Sequence, residues 1–414
     1  MVLFDRHLLG VGREALRTFP VVVVQGARQV GKSTLAALLT EGSDARQVTL
    51  DDVATRGAAQ DDPTGFVDQW PQGTLVIDEL QLQPALLRSI KASVDRDRRP
   101  GRFLLTGSAN LLRVKGETDS LAGRAVTLRL RGLSQGEVAG RPDDFVARVL
   151  AAPDQLDRMR SEWVRADYVR ALAVGGFPDA QRAEGRMRSM LLDGYLERIL
   201  ERDAPSLPGG GQAARIRMVA ALLASNQAGE LVKARLSDQA GIPQNSITTY
   251  LDALESTYLI DLLRPWTPNL TRREIGRPKV FVSDSALTMR LTRTSSSQLE
   301  SFASTQIGGI VEAFVAGELL KQQGWSEVEF QLFHFRDRAG VEVDLVLELE
   351  DGRVLAVEVK SSATYKPEHF SGLKFLREKL GDRFAGGAVL GMSGQSLRFS
   401  DRLWGLPISA LWEL

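Results

Sequence analysis

Residues 21–39 read VVVVQGARQVGKSTLAALL, and no other stretch restricts the fold as strongly. Four consecutive valines suit a short buried strand, glycines at 26 and 31 bracket a loop, and the Lys-Ser pair at 32 and 33 opens a helical run. The spacing G-x-x-x-x-G-K-[ST] is that of a phosphate-binding loop, whose backbone N–H groups wrap a triphosphate and whose glycines let the chain approach it. The pattern predicts that Gly26, Ala27, Arg28, Gln29, Val30, Gly31 and Thr34 surround ATP. Lys32 is expected to reach the β and γ phosphates and Ser33 to hold Mg²⁺, with the positive end of the helix facing the anion.

Two later strands fit the same site. Thr74–Leu80 reads TLVIDEL, an apolar run closed by two acids. Its place some fifty residues after the loop makes Asp78 the expected Mg²⁺ partner and Glu79 the group that polarises an attacking water. Arg102–Asn110, RFLLTGSAN, is expected to lie between the two nucleotide strands and to offer Thr106, Ser108 or Asn110 to the γ-phosphate; the same residues also suit a plain Gly-Ser turn. Leu121–Leu130, LAGRAVTLRL, would close the sheet. Ahead of it Arg124 is the candidate arginine finger, acting in trans or in cis, because a guanidinium stays charged and binds phosphoryl oxygens bidentately. The ATPase core is expected to span residues 1–140.

Composition removes several function classes. Over 414 residues, enough for two to four domains, Lys+Arg and Asp+Glu both number 52. Nucleic-acid binding, if present, must then come from local patches. There are no cysteines and three histidines, which excludes disulfides, iron–sulfur clusters and thiol nucleophiles and argues against zinc. Asp5, Arg6, Arg13, Glu14 and Arg17 interrupt the apolar residues of the first segment, so neither a signal peptide nor a membrane span is expected there and a cytoplasmic protein is anticipated.

From 141 to 207 the reading is helical, a small lid, and PSLPGGG at 205–211 reads as a linker. Residues 212–292 read as helix, helix, tight Gly-Ile-Pro turn, helix and two apolar strands, the order of a winged helix-turn-helix. If it binds DNA, Gln244, Asn245, Thr248 and Thr249 begin the recognition helix, with Arg272, Arg273, Arg277 and Lys279 in the wing. Residues 212–280 hold nine Lys/Arg against six Asp/Glu, a modest net of +3; winged helices also serve as lids and subunit contacts. In the last domain, 300–414, an amphipathic helix is expected at 310–320, carrying Glu312 and Glu318. VEVDLVLEL (341–349) and LAVEVK (355–360), joined by Asp351-Gly352, read as a hairpin. Alternation sets Val341, Val343, Leu345 and Leu347 on one face and Glu342, Asp344 and Glu348 on the other. Asp344, Glu358 and Lys360, completed by Glu312, match what a metal-dependent nuclease needs, and equally the solvated face of an ordinary hairpin.

Taken together, GARQVGKSTL, LVIDEL, LLTGSANLL, SLAGR, GGFP, ERD at 201–203, PKVFVSD, GVEVDLVLE and AVEVKSS resemble the bacterial and archaeal AAA-type ATPases. Those proteins join a P-loop core to a winged helix and a C-terminal domain of unknown function with a restriction-endonuclease-like core. The resemblance spans nearly the whole chain and implies an α/β fold, with nucleotide at Gly26–Thr34, Mg²⁺ and water at Asp78 and Glu79, and sensing around Thr106–Asn110. It also implies nuclease-like positions at Glu312, Asp344, Glu358 and Lys360. Ser33 stands where many relatives have threonine, which keeps the hydroxyl. The expected function is a Mg²⁺-dependent ATPase that couples hydrolysis to binding or remodelling of duplex or branched DNA as a homo-oligomer, in its fullest form a hexameric ring acting as a DNA translocase or branch-migration motor. An ATP-regulated nuclease and a regulatory NTPase switch with protein partners are the alternatives.

Overall fold

The computed structural model describes residues 3–108, 121–206, 212–268, 273, 276–301, 304 and 306–414. The valine run is strand β1 (Val21–Gln25), buried at every position. Its neighbours are β2 (Ala45–Thr49), β3 (Thr74–Asp78), β4 (Phe103–Gly107) and β5 (Ala125–Arg129), all parallel, in the order β2-β3-β4-β1-β5. A parallel strand covered on both faces has no solvated side, which is why the three central strands β3, β4 and β1 read as apolar runs, whereas the edge strands β2 and β5 are partly exposed and carry polar residues. Val21, Val23, Leu75, Ile77, Phe103 and Leu105 share one core cluster with Leu86, Leu87 and Ile90 of the helix Leu86–Arg96. The helices Leu8–Thr18 and Lys32–Thr40 pack on β1 as well. Each fully buried valine contributes about 2 kcal/mol. The strand between β3 and β1 is β4, so the TGS segment emerges between the two nucleotide strands.

Two compact units form. One comprises the chain to Gly132 with Ser256–Tyr258, the other Leu133–Glu255 with Leu259–Leu414. In the second unit the helix Lys233–Ala240 stops at Gly241 (φ +60°), where glycine takes the left-handed conformation without a Cβ penalty. The helix Gln244–Ser256 follows, then β6 (Ile260–Leu263) and β7 (Lys279–Val282), antiparallel, with Leu263 opposite Lys279. The segment read as a lid supplies Phe145, Val146, Tyr168 and Leu172 to a core shared with Phe314, Leu347 and Trp412.

The C-terminal sheet holds β8 (Phe330–Arg336), β9 (Glu342–Leu349), β10 (Val354–Val359), β11 (Phe384–Gly391), β12 (Leu397–Ser400) and β13 (Leu403–Pro407), ordered β12-β13-β11-β10-β9-β8. Two expectations change here. The helix Ile307–Gln322 is buried nearly all round rather than amphipathic: Glu318 is fully buried and accepts hydrogen bonds from the Gln135 backbone N–H (2.8 Å) and Lys321 (2.5 Å). Strict alternation also fails in β9. Phe333 pairs with Val346 and Phe335 with Val343, so His334 alone faces both Asp344 and Leu345. This bulge moves Val343 to the face of Val346 and away from Leu345 and Leu347, and Asp344 is buried with its neighbours. Among the described residues no helix is long and apolar enough to cross a membrane.

Candidate functional site

The P-loop leaves the C-terminal end of β1. Gly26 lies against the chain beyond β5, where an added Cβ would meet the Leu130 carbonyl oxygen at 2.0 Å. Gly31 has φ +95° and caps the helix Lys32–Thr40, so its backbone demands glycine even though space around it is open. Gln29 takes φ +60° at the exposed tip, with Ala27 and Val30 buried beneath and Arg28 half-buried. The Lys32 side chain arches back over the loop and donates to the Ala27 carbonyl oxygen at 2.8 Å. Burial pushes this ammonium down to about 8, against the pull of the Glu79 and Asp78 carboxylates. Ser33 and Thr34 are exposed at the first helical turn.

A hydroxyl relay joins the three strand ends. Ser33 Oγ donates to Asp78 Oδ2 at 2.8 Å, and Thr106 Oγ1 donates to the other oxygen of Asp78. Thr106 Oγ1 also accepts from the Glu79 backbone N–H at 3.2 Å. Glu79 has φ +58°, the left-handed region that non-glycine residues rarely adopt outside special sites. Its carboxylate accepts from Ser108 Oγ at 3.0 Å and from Gln81 Nε2, which also donates to Ser108 Oγ at 2.9 Å. Lys32, Ser33, Asp78, Glu79, Thr106 and Ser108 are therefore brought together; Asn110 lies outside the described residues. A hydroxyl and a carboxylate held in contact at the loop are a donor set that suits a hard divalent cation.

Arg124 is not in this group. Val21 pairs with Ala125 and Gln25 with Arg129, so Arg124 precedes the end of β5 farthest from the loop, the length of β1 or about 13 Å away. There it grips Asp95 with two bonds of 2.7 and 3.0 Å. A role in cis on the chain's own loop is out of its reach. Arg6, by contrast, donates to the Val30 carbonyl at 2.7 Å and the Arg131 carbonyl at 2.7 Å, buttressing the loop from behind. Nothing in the motif points to Arg6 or Gln81; both act through contacts that only the folded chain creates.

In the helix-turn-helix, Gln244, Asn245 and Thr248 are exposed at the start of the second helix, and Lys233 Nζ donates to Thr248 Oγ1 at 3.0 Å. The wing departs from expectation. Arg277 is exposed, but Arg273 is buried in a two-bond pair with Glu348 (2.6 and 2.8 Å) and stacks over Trp266 and Phe333. Lys279 is buried too, 2.7 Å from Glu312 and 3.0 Å from Glu342. Neither reaches solvent, because both point into the C-terminal sheet. Arg272 lies outside the described residues.

The nuclease-like residues do converge. Asp344 Oδ2 accepts from the Val359 backbone N–H at 2.8 Å, and Lys360 Nζ lies 2.5 Å from Glu358 Oε1. Burial first and the Asp344 charge second push both Glu312 and Glu358 upward. Burial tends to lower Lys279, but Glu312, Asp344 and Glu342 outweigh it and raise it. Burial and then Lys279 push His334 down to about 4; its Nε2, 3.0 Å from the Arg277 carbonyl, is then the N–H donor. Among the described residues no three His, Asp or Glu side chains are arranged to hold a metal ion. The acidic residues are present, but their arrangement does not fit the metal that a nuclease would need.

A family model described as an AAA domain matches residues 18–139. Two models described as domains of unknown function, DUF8612 and DUF4143, match residues 165–298 and 307–411. The uncharacterized protein Rv2008c of Mycobacterium tuberculosis is 30% identical over 353 residues, covering 85% of this chain and 73% of that protein, and Mb2031c of Mycobacterium bovis gives the same figures. Among solved structures, the Walker-type ATPase PABY2304 of Pyrococcus abyssi is 14% identical with a TM-score of 0.44, covering 70% of this chain and 96% of that one. AMPPCP-bound DnaA from Aquifex aeolicus is 12% identical with a TM-score of 0.30, over 62% and 89%.

Proposed function

Since this chain belongs to the family of P-loop AAA-type ATPases that carry a DUF4143 domain after the ATPase core, we propose that it couples Mg²⁺-dependent ATP hydrolysis to the binding or remodelling of DNA. The hydrolytic half is supported above all by the Ser33–Asp78 hydrogen bond, which ties the loop to the acidic strand end. Ser33 and Asp78 would hold Mg²⁺, which when bound supplies positive charge to the β and γ phosphates. Lys32 would exchange the Ala27 carbonyl for phosphate oxygens. Thr106 fixes Asp78 and the Glu79 backbone together, so the Glu79 carboxylate, released from Ser108 or Gln81, accepts the proton of a water in line with the γ-phosphate.

For DNA, the support is the exposed start of the second helix of the helix-turn-helix, with Gln244, Asn245 and Thr248 presented outward and Arg277 exposed. An oligomer, a hexameric ring in the fullest version, is supported by the position of Arg124, which could serve only a neighbouring copy's site. Steady-state ATP hydrolysis measured without DNA, then with single strand, linear duplex and a four-way junction, tests the proposal. Stimulation by one form, lost in Asn245→Ala, is expected; equal rates in all four would refute the coupling.

A second reading, a regulatory NTPase switch with protein partners, is favoured by the burial of Arg273 and Lys279, which removes two cations from the wing's basic surface. It predicts turnover indifferent to nucleic acid.

A further inference from the structure

The carboxylate centre of the C-terminal domain already contains a cation, and that cation is a side chain. Lys279 Nζ stands 2.7 Å from Glu312 Oε1, 3.0 Å from Glu342 Oε1 and 3.5 Å from Asp344 Oδ1, with its side chain 3% exposed. The three acids come from the helix Ile307–Gln322, from the start of β9 and from the bulge in β9. The ammonium comes from elsewhere, the first residue of β7 in the helix-turn-helix ribbon. Its backbone is gripped on both sides, by Leu263 of β6 and by an isolated bridge to Glu230. Such a buried charge requires partners on every side, and here all of them are carboxylates.

We infer that Lys279 is the resident cation of this centre: it takes the place of a divalent metal, and the centre accepts Mn²⁺ or Mg²⁺ only when the Lys279 side chain is withdrawn. A divalent ion needs several oxygens close around it and cannot share them with an ammonium already in contact with three. Two further oxygens of the centre are engaged by other donors, Asp344 Oδ2 by the Val359 N–H and Glu358 Oε1 by Lys360. Glu358 Oε2 is buried with no hydrogen-bond partner among the described residues, an acceptor that Lys279 does not reach. Withdrawing Lys279 leaves Glu312, Glu342, Asp344 and Glu358 against Lys360 alone, an imbalance that a divalent ion corrects. The strand that carries the ribbon of the helix-turn-helix thus also keeps the nuclease-like site shut. The inference does not depend on what the helix-turn-helix binds.

Mn²⁺ binding to the full chain without nucleotide, followed by electron paramagnetic resonance, tests this. The unmodified protein and Asp344→Asn should bind the same number of Mn²⁺ ions at millimolar metal. Lys279→Met should gain one site, lose it again when combined with Asp344→Asn, and show a rise in melting temperature with Mn²⁺ that the unmodified protein lacks. A site in the unmodified protein that Asp344→Asn removes overturns the inference, as does a folded Lys279→Met that gains none. Should Lys279→Met fail to fold, the comparison of the unmodified protein with Asp344→Asn decides alone.

Discussion

Nucleotide binding should take up a proton, and the proton should land on Lys32. Burial holds this ammonium near 8 in the free protein, below its usual 10.5. A triphosphate seated in the loop reverses that shift by surrounding the ammonium with negative charge. About half the molecules are then neutral at Lys32 at pH 8, so binding takes up about 0.5 proton there, about 0.1 at pH 7 and about 0.9 at pH 9. Affinity should fall about tenfold, or about 1.4 kcal/mol, between pH 7 and pH 9. The ligand-free protein should show the complementary trend. Between pH 8 and 10.5 the unfolded chain holds a proton on Lys32 that the folded chain has released, so stability rises with pH across that window. The full span is worth about 3 kcal/mol. Calorimetric titration of a non-hydrolysable ATP analogue in buffers of different ionisation enthalpy measures the uptake. Lys32→Arg, whose charge is permanent, should show none. Equal heats in all buffers at pH 8 with the unmodified protein would falsify the assignment of a depressed, phosphate-facing lysine.

Glu79→Gln should reduce turnover by at least about a hundredfold while leaving nucleotide affinity within about threefold, seen by comparing kcat with equilibrium binding. Gly26→Ala should destabilise the ATPase unit by about 3 kcal/mol, because its methyl carbon has to displace the Leu130 carbonyl; a urea midpoint equal to that of the unmodified protein would contradict it. Arg273→Ala should cost about 1–3 kcal/mol, because Glu348 loses its two-bond partner and keeps only Trp266 Nε1 at 3.2 Å and Arg383 at 3.7 Å, whereas the double replacement Arg273→Met/Glu348→Leu recovers most of that loss in the same urea titration.

The nucleotide half of the molecule was legible because its determinants are local. Strand, glycine spacing, Lys32 and Ser33 lie within nineteen consecutive residues, and an apolar strand ending in Asp78-Glu79 needs only a parallel neighbour to reach them. The wing was not legible in the same way. Arg273 and Lys279 look like any basic residues beside a ribbon, and a charge carries no record of what will pack against it; their partners Glu348, Glu312 and Glu342 lie 33 to 75 residues away. Asp344 is recognisable as chemistry, yet alternation assigns it to the solvated face of a hairpin, because a bulge opposite His334 is invisible to a two-residue period. The sequence neighbourhood of Arg124 suggests a finger, but strand direction sets it at the far end of the sheet.

The tight fit of Gly26 under Leu130 bears on what the loop motif can report about any descendant of this chain. Gly26 is demanded by the way β1 and β5 close together, and Gly31 by a backbone turn, so both would persist in a protein that had long ceased to meet ATP. Lys32 and Ser33 have no such backbone demand: the first holds its own loop carbonyl, and the second, exposed, holds Asp78 through a single side-chain hydrogen bond. Loss of catalysis over evolutionary time should therefore erase the lysine and the serine while the glycines survive, and a search that scores glycines alone would keep retrieving silent copies.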